Sequence, residues 1–172
     1  VILIALGGNL RTPDGSAPAE TIQRAFDALV ALPGITGGTL SGLWDSAPVP
    51  ASDQPRYVNA VCRLEGRADP SILLAALHGI ESRFGRVRGE RNAPRTLDID
   101  LLDLDGIVRD DKAPILPHPR LAGRAFVLMP LTEVAPGWRH PVSGETVEAM
   151  IHALPEADRA ECRPLGQAPG EA

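Results

Sequence analysis

TLDIDLLDLDGIV, residues 96–108, is the stretch whose reading decides the fold. Leu97, Ile99 and Leu101 alternate with Asp98 and Asp100, the period-two pattern of a strand buried on one face, so a strand is expected from Thr96 to Leu104. Asp105-Gly106 then signals a tight hairpin to Ile107 and Val108, which would make the pairing antiparallel. Upstream, Asp69 and Pro70 open a helix and Gly85 closes it, with Leu73, Leu77, Ile80 and Phe84 as its core-facing stripe. Tyr57 to Leu64 reads as a strand with Val58, Ala60, Cys62 and Leu64 on one face and Asn59 on the other. The proline-rich run from Ala47 to Pro55 is a loop long enough to cover a site, and Ile35 to Trp44 reads as one glycine-diluted strand.

At the start, Val1 to Leu6 is a continuous apolar run closed by Gly7 and Gly8, as expected of a central strand. Ser16, Pro18 and Glu20 start a helix carrying Ile22, Phe26, Leu29 and Val30, stopped at Pro33-Gly34. Toward the end, Pro114 to Pro119 is extended, Ala125 to Val134 is helical but broken by Pro130, and Thr146 to Leu154 forms a weaker helix. After Pro155 the chain is polar and expected to fray. Strands interleaved with helices, plus an antiparallel hairpin, give an α+β sandwich: helices packed on a mostly antiparallel sheet. The expected organisation is one domain over residues 1–154 and a polar tail over 155–172.

Composition narrows the function. The 172 residues are 44% hydrophobic and 23% charged, ordinary for a globular chain, but only 3% aromatic, which leaves little for stacking nucleic-acid bases. A net charge of −5 also disfavours a general polyanion binder. Yet five Arg and one Glu lie between Arg83 and Arg95, so a cationic loop sits in an acidic protein, and a small anionic ligand is expected. Cys62 and Cys162 lack the spacing of a metal or redox pair, and no apolar run approaches a membrane span. The expectation is a cytoplasmic enzyme, without nucleic-acid or membrane partners, acting as a monomer.

Asp98 and Asp100 leave the same strand face, about 6.6 Å apart at ~3.3 Å per residue. Alone, such a pair ordinarily marks a solvated face. Beside Arg86, Arg88, Arg91 and Arg95 it means more, because guanidinium forks hold phosphate oxygens while carboxylates hold the accompanying magnesium. Two ions could lie between such carboxylates. His118, between two prolines, is either a phosphate contact or a surface histidine, and Asn59 could meet a planar ligand or be structural.

Six blocks then resemble one family in order and spacing: ALGGNL from Ala5, DQPRYVNAV from Asp53, GRVR from Gly85, APRTLDIDLL from Ala93, LPHPRL from Leu116 and RAFVLMPLTEVAP from Arg124. Over about residues 1–154 the chain resembles the 6-hydroxymethyl-7,8-dihydropterin pyrophosphokinases of folate biosynthesis. The resemblance implies a ferredoxin-like sandwich and transfer of pyrophosphate from ATP to the pterin's hydroxymethyl group, releasing AMP. It implies that Asp98 and Asp100 bind two Mg2+ ions, that Arg86 and Arg95 hold phosphates, and that Arg88 and Arg91 belong to a loop closing over ATP. Glu81, His118 and Arg124 would contact the nucleotide, with His78 and Ile99 near it. Ser46, Ala47, Val49, Tyr57, Asn59 and Phe126 would form the pterin pocket.

The chain departs from the family pattern at Asn92, where an aromatic is common, at His78, often Gln, and at Pro119, often aromatic. The first implies looser loop closure; the other two bear on ATP affinity. Two other classes remain at this level: a ferredoxin-like RNA-binding module, opposed by charge and aromatic content, and another magnesium-dependent phosphoryl or nucleotidyl transferase.

Overall fold

Strand β1 (Ile2–Gly8) is apolar throughout because both of its faces are covered in the computed structural model, which describes residues 1–166. Ile2, Ile4 and Leu6 enter one apolar cluster with Ile22, Ala25 and Leu29 of helix α1 (Pro18–Val30) and Leu73, Leu77 and Ile80 of helix α2 (Pro70–Arg83). Leu3 enters a second cluster on the opposite face, with Val127, Leu128 and Leu131 of helix α3 (Ala125–Val134) and Val147 and Met150 of helix α4 (Val147–Ala153). The sheet therefore has helices on both sides.

Among the described residues the sheet has six strands: β1, β2 (Ile35–Leu40), β3 (Trp44–Ser46), β4 (Tyr57–Gly66), β5 (Asp98–Leu104) and β6 (Cys162–Pro164). All pairings are antiparallel, β1 lies between β5 and β4, and both β2 and β3 pair with β4. The core order β5-β1-β4-β2, with α1 after β1 and α2 after β4, is the expected ferredoxin-like arrangement. Asp69 caps α2, its Oδ1 accepting from the N–H groups of Ser71 and Ile72 at 2.9 and 3.0 Å. Gly85 ends that helix at φ +80°, a conformation that favours glycine.

Several local expectations are corrected. The single strand from Ile35 to Trp44 is two, because the Gly42 N–H is taken by Glu133 Oε2 of α3 at 2.7 Å and leaves the ladder. Strand β5 starts at Asp98 rather than Thr96. Asp105 and Gly106 do turn, at φ 50° and 70°, but Ile107 and Val108 form no returning strand and stay exposed. Prolines 114, 117 and 119 have no N–H to donate, and among the described residues only the His118 N–H reaches a carbonyl along β5's outer edge, that of Leu102 at 2.9 Å. Arg109 bridges Leu116 instead.

Ser16 does not cap α1; its hydroxyl accepts from Arg24 at 2.8 Å, and Ala17 holds the cap position. Helix α3 runs unbroken through Pro130, with six of its ten residues buried, so packing outweighs the missing N–H. After Pro155 the chain does not fray: helix α5 (Glu156–Ala160) leads to β6, which pairs with β3. The end of the expected tail, residues 167–172, lies outside the described residues.

Candidate active site

The end of β1 makes the floor. A Cβ on Gly7 would stand 2.8 Å from Asn59 Oδ1, and one on Gly8 would stand 2.5 Å from the Thr96 carbonyl oxygen, so neighbouring chains approach there as only glycine allows. Asn59, in the β4 position paired with Gly7, is buried and donates through Nδ2 to Ser46 Oγ at 2.6 Å. The first cleft, about 760 Å³, opens above them between the sheet, the 47–55 loop and the start of α3. It is lined by Ser46, Ala47, Val49, Tyr57, Asn59 and Phe126, along with Arg95, Asp98, Asp100 and Arg124. All six residues assigned to the pterin pocket are thus brought together.

A second cleft, about 840 Å³, runs along the free edge of β5. His78 and Glu81 of α2, Arg86, Arg88, Ile99 and His118 line it, and so do Asp98 and Asp100. The two carboxylates are shared by both clefts. Asp98 and Asp100 pair with Gly7 and Ala5 across β1, which puts them on the floor of the first cleft and at the mouth of the second.

Charge converges on Asp98. Its Oδ1 accepts from Arg86 Nη1 in a short contact, and its Oδ2 accepts from Arg95 Nη1 at 2.9 Å. Arg86 Nη1 also donates to Glu81 Oε1 at 2.7 Å, and that same oxygen accepts the Ile99 N–H at 2.8 Å. Glu81 therefore ties α2 to both the first arginine of the loop and strand β5. Burial pushes the Glu81 pKa up, while the Ile99 N–H and the Arg86 charge pull the other way. Burial works against the charge of Arg86 too, yet Asp98 and Glu81 hold its pKa above the ordinary value.

Asp100 is different. Among the described residues no protein group hydrogen-bonds its carboxylate; His118 Nε2 and Arg124 Nη1 stand off at 3.8 and 3.9 Å. Burial first, and the Asp98 charge second, raise its pKa to about 6. Burial and the nearby Arg124 and Arg120 lower the His118 pKa to about 4, so this imidazole is neutral at pH 7. With Nδ1 accepting the Arg120 N–H at 3.2 Å, its proton sits on Nε2, facing Asp100. Arg124 also lies over the Phe126 ring, 5.5 Å from its centroid.

These donors suit a particular ion. Two carboxylates, one of them unpaired, with room for water and phosphate oxygens, fit Mg2+, which keeps much of its shell from non-protein ligands. Among the described residues no group of three or more His, Cys, Asp or Glu side chains is placed to hold a metal ion together.

Arg91 is the predicted residue that reaches neither cleft; it stays with its own loop, whose residues enclose a third hollow with Arg86, Arg88 and Arg95. Arg124, assigned to the nucleotide, lines the first cleft instead. Sequence reasoning missed Asn9 and Gln54. Asn9 Oδ1 accepts the Arg95 N–H at 3.0 Å, its Nδ2 donates to Gln54 Oε1 at 3.1 Å, and Gln54 Nε2 donates to the Asn92 carbonyl at 2.7 Å. The proline-rich loop is thereby tied to the arginine loop. The signal available was a polar residue directly after Gly7-Gly8, at the end of a buried strand, where its amide must find partners.

The family model described as 7,8-dihydro-6-hydroxymethylpterin-pyrophosphokinase (HPPK) matches residues 3–136. The chain is 40% identical to a 2-amino-4-hydroxy-6-hydroxymethyldihydropteridine pyrophosphokinase of Pseudomonas aeruginosa, covering 90% of this chain and 91% of that one. A protein of the same description from Haemophilus influenzae is 39% identical, covering 77% of this chain and 79% of that one. Among solved structures, a Plasmodium falciparum HPPK-DHPS matches with a TM-score of 0.63 at 12% identity, over 88% of this chain and 43% of that longer chain, which speaks for the fold alone. The chain belongs to the 7,8-dihydro-6-hydroxymethylpterin-pyrophosphokinase family.

Proposed function

We propose that, in this member of the pyrophosphokinase family, the first cleft holds the pterin, the second holds ATP, and reaction occurs where they meet at Asp98 and Asp100. The activity is transfer of pyrophosphate from ATP to the hydroxymethyl group of 6-hydroxymethyl-7,8-dihydropterin, giving the pterin diphosphate and AMP in folate biosynthesis. The observation that carries the site assignment is the sharing of the two carboxylates by both clefts.

Asp98 and Asp100 would hold two Mg2+ ions. When bound, these neutralise phosphate charge and make the hydroxyl more acidic, chemistry for which the cleft offers no strong general base of its own. Arg86 and Arg95, now paired with Asp98, exchange that carboxylate for phosphate oxygens when ATP arrives, placing two guanidinium groups beside the β-phosphorus. The hydroxymethyl oxygen attacks that phosphorus, the bond to the α,β-bridging oxygen breaks, and AMP leaves with that oxygen. His78, Glu81, Ile99 and His118 line the nucleotide side, Arg124 reaches it from the pterin side, and Arg88 and Arg91 travel with the loop that covers it.

On the pterin side, Tyr57 and Phe126 supply apolar walls while Asn59, held by Ser46, meets the polar ring edge, with Ala47 and Val49 closing the outer rim. Action as a monomer is part of the same proposal. The two free, buried cysteines support a cytoplasmic setting. Among the described residues no helix is long and apolar enough to cross a membrane. Incubation with ATP, Mg2+ and the pterin, with nucleotide products separated, tests the reading. AMP appearing only when pterin is present is expected; ADP, or AMP formed without pterin, overturns it.

A further inference from the structure

The last strand, β6, ends the strand order opposite β5, which carries the carboxylates, and lies outside residues 3–136, the family match. Strand β6 pairs with β3 in the register Trp44–Pro164, Asp45–Arg163 and Ser46–Cys162, and the Leu165 N–H continues the ladder to the Leu43 carbonyl at 2.8 Å. Strand β3 is only three residues long, too short to be held well by one neighbour. Its last residue, Ser46, holds Asn59 in the first cleft, and the 47–55 loop that walls the cleft springs from it.

The two ends of that loop are closed across their base by Arg56. Its Nε donates to Asp45 Oδ1 at 2.6 Å, its Nη1 to Glu161 Oε2 at 3.2 Å, and its Nη2 to the Glu161 carbonyl at 3.0 Å. Arg163 stands 3.8 Å from the other Asp45 oxygen. One guanidinium thus joins the loop's exit to its entrance and both to the chain just before β6. Inward, Cys162 packs in the same apolar cluster as Trp44. None of Arg56, Asp45, Glu161 or Arg163 lines either cleft.

We propose that β6 is a positioning strand for the pterin cleft and that Arg56, through Asp45 and Glu161, is the positioning residue that sets the spacing of the cleft's outer wall. The inference rests on reading the first cleft as the pterin site. It separates the two substrates, because β3, Ser46 and the 47–55 loop line the first cleft and are absent from the second. Loosening the base of the loop lowers pterin affinity and leaves nucleotide affinity alone.

The test uses full-length chain with two probes: 6-hydroxymethylpterin, followed by its own fluorescence, and a non-hydrolysable α,β-methylene ATP with Mg2+. Failure of the parent to bind pterin would bring down the cleft assignment and this inference with it. If the parent binds, Arg56→Ala is expected to weaken pterin binding about five- to tenfold, with the ATP analogue within about twofold and kcat at saturating pterin kept. Unchanged pterin affinity, or equal loss for both probes, overturns the inference while the cleft assignment stands. Should Arg56→Ala lose its cooperative thermal transition, Glu161→Ala, which removes only the exposed end of the staple, carries the same test at about two- to threefold.

Discussion

Replacing Asp100 by Asn should make the ligand-free protein more stable and the enzyme inactive. Asp100 is the carboxylate without a protein hydrogen bond, and its pKa rises from 3.8 to about 6 because it is buried and near Asp98. The folded state therefore prefers the protonated form: the stability from that preference is complete below pH 3.8 and lost as pH rises through about 6. The two-unit shift corresponds to at most about 3 kcal/mol of strain at pH 8. With the side chain 33% exposed, screening reduces this to about 1 kcal/mol. For a chain of this length that is a Tm gain of roughly 2–4 °C at pH 8 for Asp100→Asn, vanishing near pH 3.5 where Asp is neutral in both states. Differential scanning calorimetry at both pH values measures it. Added Mg2+ should raise the Tm of the parent and not of the variant, while turnover falls about a thousandfold or more. A Tm at pH 8 at or below the parent's, or the same gain at both pH values, would refute the reasoning.

Three further outcomes are expected. Arg86→Ala leaves Glu81, with 4% of its side chain exposed, only the exposed Arg88 guanidinium at 3.6 Å and should cost about 3 kcal/mol in urea unfolding, whereas Glu81→Gln with Arg86→Met should recover most of that because Gln still accepts the Ile99 N–H. Gly8→Ala forces a Cβ to within 2.5 Å of a backbone carbonyl that cannot swing away, and about 2 kcal/mol of destabilisation by the same measurement is expected; a neutral result would mean the β1–Thr96 approach is looser than described. Affinity for Mg2+, read by calorimetric titration, should weaken as pH falls through about 6, where protons compete for Asp100, and His118→Gln should leave that dependence unchanged above pH 5, since His118 is already neutral there; a flat profile between pH 7 and 5 would count against Asp100 as a ligand.

What the sequence made legible is what neighbouring residues decide among themselves. The cap at Asp69, the stop at Gly85 and the apolar stripe of α2 are contained within a few turns of one helix, and each is present as read. Asp98 and Asp100 were readable because alternation fixes their shared face and the arginines stand a few residues away. The illegible features are the long-range ones. Arg56 meets Glu161 across 105 positions and Asn9 meets Arg95 across 86, and no local pattern announces either partner. Strand β6 was invisible because three residues in a polar segment become a strand only once β3 offers an unpaired edge.

The most instructive departure lies inside the stretch that was easiest to read. Strict alternation would put Leu104 on the face of Asp98 and Asp100, and Asp103 on the face of Leu101. The pairing of β1 with β5 shifts between Leu3 and Ile4, so Leu102 is an extra residue and the pattern changes phase there. Leu101 and Leu104 thereby both enter the first apolar cluster, while Leu102 enters the second and Asp103 pairs opposite Leu3. The third carboxylate of the stretch then faces the same side as the first two, yet it is not available to a metal. Asp103 Oδ2 accepts from Trp138 Nε1 at 3.0 Å and Oδ1 accepts the Gly106 N–H at 3.1 Å, both in a buried setting. The bulge thus divides one acidic strand, with Asp98 and Asp100 at the open end, where we propose that phosphate and metal bind, and Asp103 at the closed end holding Trp138 and the turn. Asp103→Asn keeps an oxygen acceptor for one of those two donors, so it should lower stability by about 1–2 kcal/mol while leaving turnover and Mg2+ affinity within about twofold, the opposite of Asp100→Asn on both counts.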